Sequence, residues 1–346
     1  MRYPKVTIII LNYNGFNDTK KCLKAIAKTK YSNFKVIIAD NGSSENEAET
    51  LKKTYIDKRF QFVRFNKNLG FSGGNNKILK YTKSKYVILL NNDTQVPPNW
   101  LAPLIKTMEK DNSIAVAQPK ILWLKNKKYF DYSGACGGFI DMFGYPFTRG
   151  RIFDTQEVDK GQYNSMKDIF WASGAAMILR RSIFDKVGYF DELFFNYMEE
   201  IDLCFRIRKA GFRIVCEPKS YIFHKVASTA SRQIFKKRYW EHRNNLLLIL
   251  KNYSTLKIIL FFPLRIFFEY LSLFYYIRHK KIKYALAVLL SQLSLVRFGP
   301  IILWRKTAYK QTKAAKINKT IYKGSIILSY FILRKRTYKE ISPWQN

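Results

Sequence analysis

The sequence predicts an α/β fold in which a mostly parallel β-sheet is covered on both faces by helices. Apolar runs of strand length alternate with helical patterns over roughly the first hundred residues, and each run ends in polar, turn-forming residues. Continuous apolar strands are typical of parallel sheets that are buried on both faces. Ligands bind such sheets beyond the carboxyl ends of the strands, so we expect a binding site where these runs end.

Four apolar runs define the predicted strands in chain order. The first is followed by a helical pattern to about Lys30, and the second precedes an acidic helix start. The runs span residues 6–11, 36–39, 60–65 and 86–90. After Pro119 the pattern loosens into aromatic and Gly-rich stretches. We therefore predict one domain over residues 1–231, with a nucleotide-binding half at 1–118 and an acceptor-binding half at 119–231.

Net charge limits the classes of partner. The chain carries 61 Lys and Arg against 25 Asp and Glu, and residues 225–346 hold 25 of the basic and 3 of the acidic residues. This excess favours polyanionic partners, which include nucleic acid, anionic lipid and phosphorylated substrates. Because the C-terminal basic residues alternate with long apolar segments and no nucleic-acid recognition motif is present, we expect an anionic membrane surface and no nucleic acid.

The C-terminal part, residues 232–346, is predicted to be a basic, amphipathic, helical region that associates with a membrane. Two apolar segments, residues 256–277 and 284–304, approach the length of a membrane span. The first contains Arg265 and Glu269, and a charge at mid-segment is costly in lipid. Interfacial or re-entrant helices therefore fit better than complete spans.

The cysteines and the N-terminal residues indicate the cellular compartment of the protein. The four cysteines show no metal-ligand spacing and are too few for a disulfide framework, as in a reducing cytoplasm. Residues 1–5 lead directly into an apolar run that is too short for a signal peptide. With the basic C-terminal part, this predicts a location on the cytoplasmic face of the cell membrane.

Polar residues at the ends of the predicted strands are candidates for ligand binding. Asp40 follows the second strand, where a carboxylate accepts hydrogen bonds from a nucleobase or ribose; the alternative is a helix cap. The Gly-rich stretch 66–76 either approaches a phosphate or nucleobase through its N–H groups or forms a capped turn. Asp93 follows the fourth strand and suits a hard divalent cation. His224, after an apolar stretch, is the candidate second ligand or a structural histidine.

Three carboxylates within four residues form the strongest local feature. Glu199, Glu200 and Asp202 lie in an aromatic and apolar setting, where repulsion and burial raise the pKa of at least one of them towards that of a useful base. The alternative is a helix N-terminus at which acids favour the dipole and pair with Arg206 or Arg208 one turn later. Both interpretations can hold together, because a base at a helix N-terminus is rigidly placed.

Taken in order, these motifs resemble glycosyltransferase family 2, inverting enzymes of GT-A fold, and especially its rhamnosyltransferase-like members. The resemblance covers about residues 5–231. It depends on Leu-Asn-Tyr-Asn-Gly, Asp-Asn-Gly-Ser-Ser, Asn-Leu-Gly-Phe-Ser-Gly-Gly-Asn-Asn, Leu-Asn-Asn-Asp-Thr and Tyr-Met-Glu-Glu-Ile-Asp-Leu-Cys-Phe-Arg. Asn91 stands where the family's Asp-x-Asp metal motif has its first acid.

The resemblance implies a role for each matching residue. Glu200 would be the general base, and Asp93 and His224 would bind Mg²⁺ or Mn²⁺. The nucleotide-sugar pocket would contain Asn12, Asn14, Asp40, Asn68, Gly70 and Asn92, and the acceptor side would contain Trp171, Gly174, Glu199 and Asp202.

The implied activity is hexosyl or deoxyhexosyl transfer, with inversion, in cell-surface polysaccharide or glycoconjugate synthesis. The donor would be a UDP- or dTDP-sugar and the acceptor a glycan, expected to be lipid-linked. The alternatives are a basic nucleic-acid-binding protein, or a nucleotidyltransferase or inactive scaffold on the same fold. The acids at 199 to 202 favour an active enzyme. The sequence leaves open which sugar is transferred and whether the chain forms a homo-oligomer.

Overall fold

The computed structural model describes residues 3–54, 57–225, 234–307 and 320–342. The strands within these ranges are β1 (Val6–Asn12), β2 (Phe34–Asp40), β3 (Phe60–Arg64), β4 (Tyr86–Leu90), β5 (Thr94–Gln95), β6 (Ile114–Trp123), β7 (Gly138–Asp141), β8 (Pro146–Thr148), β9 (Arg151–Ile152), β10 (Thr155–Gln156), β11 (Lys167–Asp168), β12 (Ala176–Arg180), β13 (Arg213–His224) and β14 (Ile321–Tyr322).

The α-helices in the same ranges are α1 (Phe16–Ala27), α2 (Glu45–Thr54), α3 (Gly70–Leu79), α4 (Leu101–Lys110), α5 (Ile183–Val187), α6 (Glu199–Lys209), α7 (Ile234–Asn252), α8 (Thr255–Arg278), α9 (Ile282–Thr307) and α10 (Tyr338–Ile341). A π-helical turn at Leu328–Ile332 precedes α10.

A large mixed sheet forms the centre of the described part of the chain. Its order is β11-β13-β6-β12-β4-β1-β2-β3, and β5 pairs with the far end of β13. Strands β4, β1, β2 and β3 are parallel, whereas β12 is antiparallel to both of its neighbours. The predicted α/β fold is therefore confirmed, and the sheet is mixed: β12 joins two parallel parts, and β11 and β5 pair antiparallel with β13.

Side chains of the central strands alternate between two hydrophobic cores. On β1, Ile8 and Ile10 belong to one core while Ile9 belongs to the other. Both sets are almost fully buried because helices cover both faces of the sheet. The continuous apolar run of β1 in the sequence has this physical cause. The parallel register pairs Asn12 with Asp40, so the polar ends of β1 and β2 meet at one edge.

A second, smaller sheet has the order β10-β9-β8-β7-β14. It occupies the region in which the sequence predicted only aromatic and Gly-rich stretches. Its strands are two to four residues long, which is too short for a recognisable alternation. The last strand, β14, comes from the C-terminal part and pairs in parallel with β7. The predicted acceptor-binding half and the predicted membrane-associating region therefore share one sheet.

Helix α7 joins the C-terminal helices to the α/β unit. It packs against α6 on one side and against α8 and α9 on the other. Buried polar contacts fix the first of these interfaces, since Lys251 and Asn252 of α7 both donate to the carboxylate of Asp202 on α6. The end of α7 is consequently an integral part of the core of the α/β unit, although the sequence placed it in a separate region.

Helices α8 and α9 are each long and apolar enough to cross a membrane. In α8 the charged Arg265 and Glu269 are buried and face α7, where they contact Asn245 and His242. The mid-segment charges of α8 are therefore paired inside the protein, which removes them as an argument against a complete span. In α9, by contrast, Arg297 is exposed. The interfacial or re-entrant arrangement stays a prediction.

Candidate functional site

A cavity of about 560 Å³ opens at the carboxyl ends of the central strands. Its volume lies in the usual range for small-molecule sites. Residues after β1, β2 and β4 form one wall, and residues from β8, β9, the start of α6 and α7 form the other. Of the predicted site residues, those that line it are Asn68, Gly70, Asn92, Asp93, Trp171, Gly174, Glu199, Glu200 and His224.

Amide side chains shape the Gly-rich loop on the first wall. Asn68 Oδ1 accepts from the Gly70 N–H at 2.8 Å, and Asn41 donates to Asn68 Oδ1 and to the Gly70 carbonyl. Gly70 has a φ of +68°, and a Cβ there would lie 2.5 Å from the carbonyl oxygen of Phe195. A side chain at position 70 would therefore push apart the Gly-rich loop and the loop before α6.

The predicted residues Asn12, Asn14 and Asp40 lie behind the cavity wall rather than on it. Asn12 Nδ2 donates to Asp40 Oδ1 at 3.0 Å, and Asp40 Oδ2 accepts from the Ser43 N–H. Asn14 bonds to the same loop, because its N–H donates to Ser43 Oγ. Asn12 and Asp40 are fully buried. In this structure the three residues hold the loops after β1 and β2 together.

Asp93 and His224 come together as the sequence suggested. Strand β5 pairs antiparallel with the end of β13, which places His224 beside Thr94. His224 Nε2 lies 3.1 Å from Asp93 Oδ1, and its Nδ1 lies 3.0 Å from Asp131 Oδ1. Burial lowers the pKa of the imidazole, but the two carboxylates outweigh it and raise the pKa of His224 to about 10.

Asp131 is a member of this cluster that the sequence did not reveal. It is fully buried, and its Oδ1 also accepts from the Ser133 N–H at 2.6 Å. A carboxylate on the second nitrogen of a metal-binding histidine orients the ring and fixes its tautomer. Asp131 stands in the aromatic stretch before β7 without a motif, and only the long-range pairing of strands brings it to His224.

The donor set suits a divalent cation. Asp93 and His224 both line the cavity, and the carboxylate oxygen and the ring nitrogen are about 3 Å apart. Together they form a partial set of metal ligands, which leaves the other coordination positions of a cation to a ligand such as a diphosphate. Among the described residues no group of three or more His, Cys, Asp and Glu forms a complete metal cage. Asn92, the neighbour of Asp93, donates instead to Thr19 Oγ1 at 2.9 Å.

Glu199 and Glu200 form the first turn of α6 and line the cavity. Glu199 is buried and Glu200 is half-buried, and in each the Oε2 atom is shielded from solvent and has no hydrogen-bond partner among the described residues. Burial raises the pKa of Glu200 to about 7, against the opposing effect of backbone N–H groups at the helix start. Burial and the charge of Glu200 raise the pKa of Glu199 well above its usual range. One carboxyl group is thus poised to exchange a proton near neutral pH.

Asp202 does not line the cavity, which corrects its assignment to the acceptor side. Its carboxylate is fully buried and accepts from Arg206 at 3.0 Å, Lys251 at 2.8 Å and Asn252 at 2.9 Å. Burial opposes ionisation, but Lys251 and Arg206 outweigh it and lower the pKa of Asp202 to about 2. The helix-partner interpretation of the acidic cluster therefore holds for Asp202, and the part of the cluster that lines the cavity consists of Glu199 and Glu200.

The loop before α6 has a strained backbone that α7 holds in place. Phe195, Tyr197 and Met198 all have φ between +59° and +70°, a region that costs a non-Gly residue about 1–2 kcal/mol. Asn244 Nδ2 lies 2.7–2.8 Å from the carbonyl oxygens of Phe194, Asn196 and Tyr197. Asn244 therefore fixes the backbone that delivers Glu199 and Glu200.

The same loop also contacts the Gly-rich loop of the first wall. Asn196 Oδ1 accepts from the Phe71 N–H at 2.7 Å, and the Phe195 carbonyl accepts from the Ser72 N–H. The carboxyl pair at α6 is therefore placed relative to the predicted nucleotide pocket by direct hydrogen bonds.

Trp171 and Gly174 line the cavity, and their assignment to the acceptor side stays a prediction. The indole Nε1 of Trp171 donates to the Phe139 carbonyl at 2.8 Å, which fixes the ring. A Cβ at Gly174 would lie 2.9 Å from the Phe71 ring, so the close approach of these segments requires glycine. The cavity residues that the sequence missed include Tyr132, Arg151, Lys237, Trp240 and Glu241. They carry no motif, and three of them lie on α7.

Fold and cavity together define the GT-A class of glycosyltransferases. The solved structure of GalNAc-T7 with UDP, GalNAc and Mn²⁺ has a TM-score of 0.55 over 72% of this chain and 48% of that one, at 15% identity. The family model for glycosyl transferase family 2 matches residues 7–188. The chain belongs to glycosyltransferase family 2, and the family predicted from the motifs is confirmed.

The alignments with two curated relatives are longer than the match to the family model. The O-antigen biosynthesis protein RfbC of Myxococcus xanthus is 28% identical over 247 residues, which are 68% of this chain and 18% of that protein. The N-acetylglucosaminyl-diphospho-decaprenol L-rhamnosyltransferase of Mycobacterium tuberculosis is 25% identical over 240 residues, which are 65% of this chain and 77% of that protein. The chain thus matches less than a fifth of the Myxococcus protein.

Replacing Asn244 with Leu should destabilise the protein. The substitution removes the donor shared by three carbonyl groups. The Phe194 carbonyl keeps the Asn196 N–H as a donor, whereas each carbonyl that is left unpaired costs about 1–3 kcal/mol. We expect the free energy of unfolding to fall by about 2 kcal/mol or more, measured by denaturant unfolding of the full chain in detergent. The control Asn46→Leu, at an exposed position of α2, should stay within about 0.5 kcal/mol. Equal stability of the Asn244 variant and the wild type would contradict the role of this amide.

Proposed function

We propose that this protein is an inverting glycosyltransferase that moves a sugar from a nucleoside-diphosphate donor to a hydroxyl group of a glycan acceptor. The observation that carries the proposal is the pair Glu199–Glu200, whose buried Oε2 atoms have no hydrogen-bond partner among the described residues, in the same cavity as Asp93 and His224. A base near neutral pKa and a partial cation site are the two groups that such a transfer requires. Family membership supports this assignment.

Glu200 is the proposed general base. Its carboxylate takes the proton of the acceptor hydroxyl while the hydroxyl oxygen forms a bond to the anomeric carbon. The bond from that carbon to the phosphate oxygen breaks, and the nucleoside diphosphate leaves with the electron pair. A single displacement of this kind inverts the anomeric configuration. The loop held by Asn244 keeps the base in the position where partial burial raises its pKa.

Asp93 and His224 are the proposed ligands of Mg²⁺ or Mn²⁺, and Asp131 orients the histidine ring. When bound, the cation supplies a positive charge that stabilises a diphosphate leaving group. The presence of Mn²⁺ beside UDP in the GalNAc-T7 structure supports this choice of cation.

The donor pocket is assigned to the first wall of the cavity. Asn68 and Gly70, with Asn41, present amide and backbone groups that can contact a nucleobase or phosphate. UDP- and dTDP-sugars are the proposed donors. Asn12, Asn14 and Asp40 support this wall from behind, and Asn92 lies on it.

The proposed acceptor is a lipid-linked glycan at the cytoplasmic face of the membrane, in cell-surface polysaccharide or glycoconjugate synthesis. The name of the mycobacterial relative specifies a sugar on a diphospho-decaprenol lipid, which supports this class. Helices α8 and α9 expose large apolar side chains to solvent, among them Leu260, Phe267, Phe274 and Leu293. Exposed apolar patches on such basic helices suit an anionic lipid surface.

Glu200→Gln should nearly abolish sugar transfer while donor binding survives. General base catalysis supplies about a hundred- to ten-thousandfold, so turnover should fall by a factor in this range. The assay measures release of nucleoside diphosphate from a panel of UDP- and dTDP-sugars with Mn²⁺ or Mg²⁺, with EDTA as the blank, and with N-acetylglucosaminyl-diphospho-prenol as the first acceptor.

Glu49→Gln, at an exposed position of α2, is the matched control for the base and should leave turnover unchanged. Normal turnover in the Glu200 variant would eliminate this residue as the base. Nucleotide binding without release from any donor would instead indicate an inactive scaffold.

Transfer should rise with pH through about 7. Only the ionised form of Glu200 accepts a proton, and a pKa of about 7 leaves the group mostly neutral below that pH. We expect kcat/KM to increase about tenfold per pH unit on the acid side and to level off above the pKa. The same profile measured for Glu200→Gln should lack this limb. A wild-type profile that is flat between pH 5.5 and about 8.5 would refute the assignment.

Binding to vesicles should depend on the exposed face of α8. The protein is expected to float with liposomes that contain anionic lipid, and the double substitution Phe267→Glu with Leu271→Glu should reduce the floating fraction about tenfold or more, because it places charge on an apolar surface. Tyr81→Glu, which alters an exposed aromatic residue after α3, is the control. A wild-type protein that stays in the soluble fraction whatever the lipid charge would contradict membrane association.

A further inference from the structure

One wall of the cavity has properties that the roles described so far do not use. This wall, which we call the cationic wall, consists of Tyr132, Arg151, Tyr197, Lys237 and Trp240. Arg151 belongs to β9 of the small sheet, and Lys237 and Trp240 belong to α7. None of these residues lies on a strand of the central sheet.

Two cations of the cationic wall are held against the same aromatic ring. The guanidinium carbon of Arg151 lies 4.3 Å from the centre of the Tyr132 ring, and Lys237 Nζ lies 5.8 Å from it. Lys237 Nζ is also 5.8 Å from the centre of the Tyr197 ring. The Tyr132 ring thus holds the Arg151 guanidinium at the cavity, a position from which it can bind a ligand.

The positive charge of the cationic wall is only partly balanced. Glu241 also lines the cavity, and it bonds to Arg238 at 3.0 Å and lies 3.8 Å from Lys237. Arg151 forms no ion pair with a carboxylate in the described ranges, and its Nε donates to the Phe153 carbonyl. The wall therefore carries net positive charge beside aromatic surface. Phosphate groups suit such cations, and prenyl or sugar C–H groups suit the rings.

Both elements that carry these cations contact apolar segments of the C-terminal part. Phe153, two residues after Arg151, packs on Tyr330 and Phe331 with ring centres 4.9 and 5.1 Å apart. Tyr330 and Phe331 belong to the π-helical turn Leu328–Ile332, in which Phe331 and Ile332 are exposed. On α7, Arg238 lies over the Tyr284 ring of α9 at 5.4 Å. A lipid whose tail lies along these segments would bring its headgroup to the cationic wall.

We infer that Arg151 and Lys237 bind the diphosphate of a lipid-linked acceptor. The donor's diphosphate is assigned to the cation site of Asp93 and His224, at the edge of the central sheet. The Arg151 and Lys237 side chains come instead from β9 and α7, which adjoin the apolar segments. The inference rests on the proposed function for its acceptor class. It adds the residues that distinguish a diphosphate-linked acceptor from a neutral glycan.

The test measures binding of farnesyl diphosphate to the full chain in detergent by titration calorimetry, with farnesol as the uncharged comparison. Arg151→Ala and Lys237→Ala should each weaken farnesyl diphosphate about tenfold or more, since each removes a charge-assisted contact. Arg151→Lys keeps the positive charge and should retain part of the affinity, which would show that the loss in Arg151→Ala is not caused by misfolding. Lys236→Ala, at an exposed neighbouring position of α7, should bind like the wild type. Farnesol binding should be the same in all variants.

A second titration separates the acceptor's diphosphate from the donor's. UDP and dTDP in the presence of Mn²⁺ should bind the Arg151 and Lys237 variants as they bind the wild type. Unchanged farnesyl diphosphate affinity in the variants, or a loss of nucleotide affinity in its place, would overturn the inference. These arms need no sugar transfer, so failure of the proposed activity is recognised separately, by absence of nucleoside diphosphate release in the donor panel.

Discussion

The antiparallel pairing of β5 with the end of β13 is the constraint on which the rest of the site depends. It joins a two-residue strand that follows Asp93 to the last residues of a strand more than a hundred positions later. Without it, Asp93 would be a single carboxylate at the end of β4. With it, His224 meets Asp93, and the buried Asp131 is positioned behind the ring. A small amount of backbone pairing thus brings Asp93, His224 and Asp131 together from three separate parts of the chain.

The second determinant is the way in which the carboxyl pair is presented. A loop with three left-handed residues costs conformational energy, and hydrogen bonds from α7 and the Gly-rich loop offset that cost. The result is a pair of glutamates that line a cavity and whose Oε2 atoms are buried. This burial explains the raised pKa values of both side chains. Helix α7, which holds this loop, also contacts α8 and α9. The same helix therefore supports both the apolar helices and the loop that carries the two glutamates.

The sequence predicted those parts of the molecule in which local pattern and structure coincide. The strands β1 to β4 were recognisable because burial on both faces makes them continuously apolar, and the residues at their ends follow directly. Asp131, Arg151 and Lys237 were not recognisable, because their positions depend on strands of two residues and on packing between distant elements. Asp202 was misplaced for a related reason: in one turn of helix, Glu199 and Glu200 face the cavity while Asp202 faces Lys251, and spacing alone does not say which side is covered.

The pairing of β14 with β7 has a consequence for how this chain can be divided. β7 is flanked by β8 on one edge and by β14 on the other, and the buried Asp141 at its end accepts a hydrogen bond from the Ile326 N–H. A shortened chain that ended after α9 would leave one edge of β7 open and one carboxylate oxygen of Asp141 without this donor. Open edges recruit strands from other molecules. The segment after α9 therefore covers an edge of the small sheet, and the two regions of the chain are not independent modules.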